Sequence, residues 1–178
     1  MLTEGEEIGR GEDRREMDVE APEDQKNRRV ATADRRHENN RQYATFFLDT
    51  HYLGVEVENV QEVFTAKAMT PVPLSDPMIA GLINLRGHII MTIDLRRRLG
   101  FDDRPPEDEV MSIVVRTSDG PVNLLVDRIG DVIEVRPDLF ESSPPTLESR
   151  LKASIDGVYK LEDSLLLALN TELASEVI

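Results

Sequence analysis

The sequence contains no cysteine and no tryptophan, and aromatic side chains make up only 4% of its 178 residues. Without cysteine the chain cannot form a disulfide framework, a thiolate-ligated metal site or a thiol nucleophile. Long apolar runs are missing too, since Leu124–Val126 and Leu165–Leu169 are far shorter than the roughly 20 residues of a membrane-spanning helix. We therefore expect a soluble cytoplasmic protein with no direct membrane insertion.

Positive charge is also in short supply. Lysine and arginine number 21 against 35 acidic residues, which gives a formal net charge of −14. Phosphate-backbone binding depends on clustered lysine and arginine that release counterions, so we expect no nucleic-acid partner. The three histidines, His37, His51 and His88, have no metal-ligand spacing. No metal site is expected.

Sequence motifs of enzymes are missing as well. There is no glycine-rich phosphate-binding loop and no Gly-x-Ser-x-Gly element. Carboxylates such as Asp49 and Asp94 are the only candidate catalytic groups. Nothing in the sequence indicates that two of them are held at the ~5–9 Å separation that acid–base hydrolysis requires. We expect no enzyme, and a carboxylate-based hydrolase is the remote alternative.

The chain divides near residue 40. Residues 1–40 carry 12 acidic and 8 basic side chains and few bulky apolar ones, too little apolar area to offset the entropy of ordering. This composition predicts a disordered charged tail over residues 1–40. Residues 41–178 instead contain short apolar, β-branched runs separated by turn residues, which predicts a mainly β domain with short helices.

Helix signals are few. Asp94 and Gly100 suit the two ends of one short helix, and Asn170 suits the start of another. The prolines between residues 71 and 77 predict a rigid loop with one helical turn over residues 76–80. We interpret the basic run Arg96–Arg98 as a solvated helix face, with contact to an acidic partner as the alternative.

The ordered part matches itself at two nearby offsets, which indicates an internal duplication. An offset of 69 places Leu53, Val55 and Val57 on Val122, Leu124 and Val126, and it places Val60, Glu62 and Val63 on Ile129, Asp131 and Val132. An offset of 76 places the stretch that begins at Ile79 on the stretch that begins at Ile155. We expect two units of roughly 70 residues, each curled into a small barrel that protects its strand edges, with a binding groove between the barrels.

Several motifs resemble the CheW-like domain, the chemotaxis coupling-protein family. They are Val60–Val63, Pro71–Pro73, Ile79–Gly87, Ile89–Arg96 and Leu125–Ile129. The resemblance covers about residues 42–174, and we assign residues 41–178 to one such domain. It implies two SH3-like five-stranded β-barrel subdomains that pack together and share a core.

The resemblance also implies a function. Family members are non-enzymatic adaptors that couple the signalling tips of methyl-accepting chemoreceptors to the regulatory domain of a CheA-type histidine autokinase, at receptor arrays on the inner membrane surface. No cofactor is implied. Two alternatives remain open: a CheW-like scaffold that serves another receptor–kinase system, and a general β-barrel interaction module.

The receptor-binding positions implied by the resemblance are centred on Glu62 and Arg86. A guanidinium matches a carboxylate bidentately, so this pair either shapes a loop that a partner recognises or simply holds a turn as a salt bridge. The full set is Val57, Val60, Glu62, Arg86, Ile129 and Val132. For each apolar member, core packing is the alternative role.

Gly81 and Ser112 match positions implicated in contact with the kinase. The alternative for Gly81 is a backbone that needs positive φ or a close approach. One departure from the family is visible where the motif commonly has proline, since this chain has Thr92 following Met91. We expect that change to affect only the geometry of a strand edge.

Overall fold

The computed structural model describes residues 40–105 and 108–176. The tail predicted over residues 1–40 lies outside these ranges apart from Asn40. The described strands are β1 (Arg41–Leu48), β2 (His51–Glu56), β3 (Val60–Thr65), β4 (Ile79–Leu85), β5 (His88–Asp94), β6 (Met111–Thr117), β7 (Gly120–Val126), β8 (Arg128–Val135), β9 (Phe140–Glu141), β10 (Ile155–Lys160) and β11 (Leu165–Leu169). The α-helices are α1 (Leu95–Leu99), α2 (Ser149–Ala153) and α3 (Thr171–Ser175), and single 3-10 turns span Val57–Asn59 and Pro137–Leu139. Within these ranges no helix is long and apolar enough to cross a membrane.

The strands form two packed sheets, so the prediction of a mainly β fold with two subdomains is confirmed. The first sheet has the order β8-β1-β2-β11-β10-β9 and the second the order β3-β6-β7-β5-β4. Most neighbouring strands are antiparallel, but β11 runs parallel to β2 and β5 runs parallel to β7. Each parallel pair joins strands from opposite halves of the sequence.

The two sheets have the same strand order once the halves of the sequence are exchanged. By the offsets of 69 and 76, β1, β2, β8, β11 and β10 correspond to β6, β7, β3, β5 and β4. The second sheet therefore takes three strands from the first half and two from the second. The first sheet takes two strands from the first half and four from the second, of which the short edge strand β9 has no counterpart. The expectation that each unit forms its own barrel was wrong, because an offset match identifies corresponding strands and carries no information on which strands pair.

Apolar side chains form one shared cluster and one smaller cluster for each sheet. The shared cluster joins residues of both sheets, among them Phe46 and Leu124. Tyr43 and Tyr159 belong to the cluster of the first sheet alone, and Ile90 belongs to that of the second. Central strands consequently have a buried residue on both faces.

Strand β2 shows the consequence of this double burial. Leu53 and Val55 alternate with Gly54 and Glu56, a pattern typical of a half-buried strand, yet Leu53, Gly54 and Val55 are all buried. A Cβ at Gly54 would lie 3.2 Å from the Tyr43 side chain. The strand departs from that pattern because its opposite face packs on the apolar cluster of the first sheet, which contains Tyr43 and Leu166.

The cap signals were read correctly. The Asp94 carboxylate accepts the backbone N–H of Arg96 at the start of α1, and Gly100 ends that helix with φ of 89°. Asn170 caps α3 in the same way.

The helical turn expected over residues 76–80 is instead a hydrogen-bonded turn before β4. The short helix α2 was not predicted, because it follows a proline-rich stretch without a capping residue.

The interpretation of the arginine run as a solvated face fits Arg97 alone, because Arg96 and Arg98 are partly buried. Arg97 pairs with Asp103 at 2.8 Å. Arg98 donates to the carbonyl oxygens of Leu173 and Ala174, near the end of α3, where a cation satisfies free helix carbonyls. The third arginine, Arg96, has a side chain that is only 12% exposed.

Arg96 belongs to an ionic cluster centred on Asp127, the single residue between β7 and β8. The Asp127 carboxylate accepts from Arg96 Nε at 2.8 Å and Nη2 at 2.7 Å, and from the backbone N–H of Asp49 at 2.7 Å. Arg104 lies 3.4 Å from Asp127 and 3.3 Å from Asp94. Burial raises the pKa of Asp127, but the hydrogen bonds from Arg96 and Asp49 outweigh it, so the pKa lies below its ordinary value.

We predict that Asp127→Asn lowers the free energy of unfolding by about 2 kcal/mol at pH 7, because the substitution leaves the nearly buried Arg96 without its counter-charge. The pKa of Asp127 is lowered in the folded state. Its stabilisation is therefore complete above the unfolded pKa, about 3.9, and is lost as pH falls through the folded value. Urea denaturation at pH 7 and at successively lower pH measures both effects.

The control is Asp103→Asn, which removes an exposed carboxylate that also pairs with arginine. We expect it to cost much less than Asp127→Asn. Equal losses for the two variants, or an unchanged acid dependence in Asp127→Asn, would contradict the central position of Asp127.

Candidate functional site

Arg86 and Gly87 form the two-residue turn of the β4–β5 hairpin. Both have positive φ, 55° and 90°, as in a type I′ hairpin turn, and the Asn84 side chain accepts the Gly87 N–H at 2.9 Å. From this turn Arg86 Nη2 reaches Glu62 Oε2 at 3.0 Å. The structure therefore brings together the pair that the motif implied.

The Glu62–Arg86 pair joins the two edges of the second sheet. Glu62 lies on β3, the first strand of the sheet order, and Arg86 directly follows β4, the last strand. Phe64 of β3 and Leu85 of β4 pack on the same small cluster. The sheet is therefore curled, and the ion pair spans its seam. The Arg86 side chain remains 79% exposed, so it is also accessible to a partner.

Stability alone does not account for the arginine in this turn. An L-residue with left-handed φ costs roughly 1–2 kcal/mol, and glycine or asparagine is the usual choice at that position. An exposed ion pair returns only about 0–1 kcal/mol. Strained residues that their surroundings hold in place are concentrated at binding sites.

The apolar members of the predicted receptor set differ in how far they are buried. Val60 of β3 and Ile129 of β8 occupy equivalent positions and are partly buried against the shared core, so core packing accounts for much of their role. Val57 is half-buried in a 3-10 turn. Val132 is 62% exposed and is free to contact a partner.

Sequence reasoning missed other exposed apolar side chains. Val63, the duplicate of Val132, is 40% exposed. Ile89 and Leu165, which correspond at the offset of 76, are 66% and 44% exposed. The duplication was the available signal for these residues. An apolar residue that is exposed at the same position in both halves is not retained for core packing.

Gly81 has a structural reason to be glycine. Its φ is +147°, and a Cβ there would lie 2.6 Å from the Thr70 carbonyl oxygen. That oxygen accepts the N–H of Leu82 at 2.8 Å, which fixes the preceding loop to β4. The close approach anticipated as the alternative role of Gly81 is therefore present.

Ser112 is 1% exposed and lies inside the second sheet. Its hydroxyl accepts from Asn123 Nδ2 at 3.2 Å, and the same nitrogen donates to Thr92 at 3.1 Å. Ser112 can therefore influence a partner only through the position of its strand. The expectation for Thr92 was wrong, because β5 is an interior strand and Thr92 is fully buried.

The corresponding seam of the first sheet is built differently. The positions equivalent to Glu62 and Arg86 hold Asp131 and Glu162, both acidic, so this ion pair has no counterpart. A cleft of about 600 Å³ lies there instead. Among its lining residues are Phe47, Tyr52, Arg128, Asp131 and Leu161.

A family model described as "CheW-like domain" matches residues 42–176. Chemotaxis protein CheW of Bacillus subtilis is 33% identical over 121 residues, which are 68% of this chain and 78% of that protein. Protein PilI of Pseudomonas aeruginosa is 26% identical over 117 residues, 66% of each chain. The crystal structure of scaffolding protein TtCheW from Thermoanaerobacter tengcongensis superposes with a TM-score of 0.70 at 28% identity, covering 78% of this chain and 94% of that one.

We predict that Arg86→Asn leaves the free energy of unfolding unchanged or raises it by up to about 1 kcal/mol, because relief of the strained turn offsets the lost ion pair. Chemical denaturation measures the change. Glu62→Gln is the matched control, since it removes the same ion pair without relieving the turn, and it should cost less than about 1 kcal/mol. A loss above about 1 kcal/mol in Arg86→Asn would show that the arginine is there for stability.

Proposed function

The chain belongs to the CheW-like domain family, and we propose on that basis that it couples chemoreceptor signalling tips to the regulatory domain of a CheA-type histidine kinase. Its relatives include chemotaxis protein CheW of Bacillus subtilis and the scaffolding protein TtCheW. Coupling of this kind needs a surface for each partner, and the two surfaces must keep a fixed relation. Two sheets built around one core meet that requirement.

The observation that carries the receptor side is the strained, exposed Arg86 held against Glu62. A turn that pays a conformational cost to present a guanidinium fits recognition better than stability. The proposed receptor surface adds apolar positions, since helical hairpins dock through apolar side chains at three- and four-residue spacing. Its members are Val57, Val60, Glu62, Arg86, Ile129 and Val132.

For the kinase side we propose the loop before β4 and the strand itself. Gly81 allows this loop to approach β4, and Ser112 acts indirectly through the interior of the same sheet. Leu74, at the tip of the loop, is fully exposed and has φ of 59°. An exposed leucine on strained backbone suits contact with an apolar surface of the kinase's regulatory domain.

In this proposal signals pass by binding alone, in the cytoplasm at receptor arrays on the inner membrane surface, and neither catalysis nor a cofactor takes part. The similarity to Protein PilI supports a second candidate. In that case the same adaptor architecture serves a receptor–kinase system other than chemotaxis.

Binding measurements with two purified partners test the proposal: a chemoreceptor signalling fragment and the regulatory domain of the kinase, both from the same organism. We expect the wild-type chain to bind each. Arg86→Glu should weaken receptor binding about tenfold or more, since it reverses the charge beside Glu62. Kinase-domain binding should stay within about twofold.

Arg136→Glu is the control, because Arg136 is similarly exposed but pairs with its neighbour Asp138. It should bind both partners as the wild type does. A wild-type chain that is folded by circular dichroism and binds neither partner would rule out the adaptor function.

A further inference from the structure

The two halves of the chain anchor equivalent parts in different ways. At the offset of 69 Glu58 corresponds to Asp127, and at the offset of 76 Glu172 corresponds to Arg96. Asp127, which belongs to the second half, links two parts of the first half: it binds α1 through Arg96 and the β1–β2 turn through the N–H of Asp49. The equivalent helix and turn of the second half, α3 and the β6–β7 turn, are also linked.

In the second half the helix supplies the carboxylate itself. Glu172 of α3 accepts the N–H and the hydroxyl of Ser118 at 2.7 and 2.9 Å, and Ser118 is the turn residue equivalent to Asp49. The Glu172 side chain thus makes directly the link that Arg96 and Asp127 make together at the equivalent place. Glu58, the duplicate of Asp127, lies between β2 and β3 and takes no part in linking this helix to this turn.

Glu58 is accordingly unengaged within the described part of the chain. Its backbone carbonyl accepts from Arg116 at 3.0 Å, but its carboxylate makes no ion pair or hydrogen bond with any described residue. The neighbouring acid Glu56 differs, since Arg41 binds it at 2.8 Å and Tyr43 donates to it. Both acids line a cleft of about 460 Å³ at the start of β1, and only Glu58 is uncommitted there.

We propose that Glu58 is a specificity-determining contact of the receptor surface and binds a lysine or arginine that flanks the apolar seam of the receptor hairpin. This inference rests on the proposed function. Glu58 lies in the 3-10 turn Val57–Asn59 and is exposed. It therefore stands between Val57 and Val60, two apolar members of the proposed receptor surface. A helix whose apolar stripe covers the two valines carries polar side chains at its margins.

The charge of the domain supports a basic partner. Residues 41–178 hold 23 acidic and 13 basic side chains, a net charge of −10, which attracts cationic surfaces at long range. A contact at the exposed rim adds mainly to association rate and to discrimination between partners, and salt screens it.

The test compares the full-length wild-type chain with Glu58→Gln in binding to a purified chemoreceptor signalling fragment at about 50 mM and about 500 mM salt. We expect Glu58→Gln to bind about fivefold more weakly at low salt, chiefly through slower association, and equally at high salt. Kinase-domain binding should not change. Glu148→Gln, which removes an exposed acid at the start of α2, should bind the receptor fragment as the wild type does.

Thermal denaturation separates recognition from structure. Glu58→Gln should keep the wild-type Tm, whereas Glu172→Gln should lower it because the bonds to Ser118 are lost. Equal receptor binding by wild type and Glu58→Gln at both salt concentrations would overturn the inference and leave the proposed function intact. A wild-type chain that does not bind the receptor fragment would overturn both.

Discussion

The third strand of each half hydrogen-bonds to a strand of the opposite half: β3 pairs with β6, and β8 pairs with β1. Both crossings are abrupt, one through the 3-10 turn Val57–Asn59 and the other through Asp127 alone. Neither half can complete a sheet without the other, and the apolar residues of both sheets merge into one core. A repeated sequence therefore folds as a single unit.

The two halves differ in which equivalent residues stabilise the fold and which remain exposed to a partner. At one crossing Asp127 is committed to the arginines around it, and at the other Glu58 is left exposed. At the seams, Glu62 and Arg86 close the second sheet, while two acids stand at the equivalent positions of the first. A chain with two equivalent frameworks can thus present different chemistry to different partners.

Short-range features were predictable from the sequence. The β class, the caps at Asp94 and Asn170 and the Glu62–Arg86 pair depend on local spacing or on a motif. The role of Arg96 was not, because its partner Asp127 lies 31 residues away in a strand crossing that no pattern reveals. Strand exchange likewise leaves no periodic trace, and the burial of both faces of β2 follows from it.

Native-state amide hydrogen exchange tests most directly whether the exchange of strands makes one cooperative unit. Ile90 is buried in the cluster of the second sheet alone, so Ile90→Ala, which should cost about 2–5 kcal/mol, removes contacts only there. We expect the opening free energies of protected amides in β2, in the first sheet, and in β7, in the second, to fall by the same amount. A fall in β7 with β2 unchanged would show that the sheets unfold independently and would contradict the shared framework.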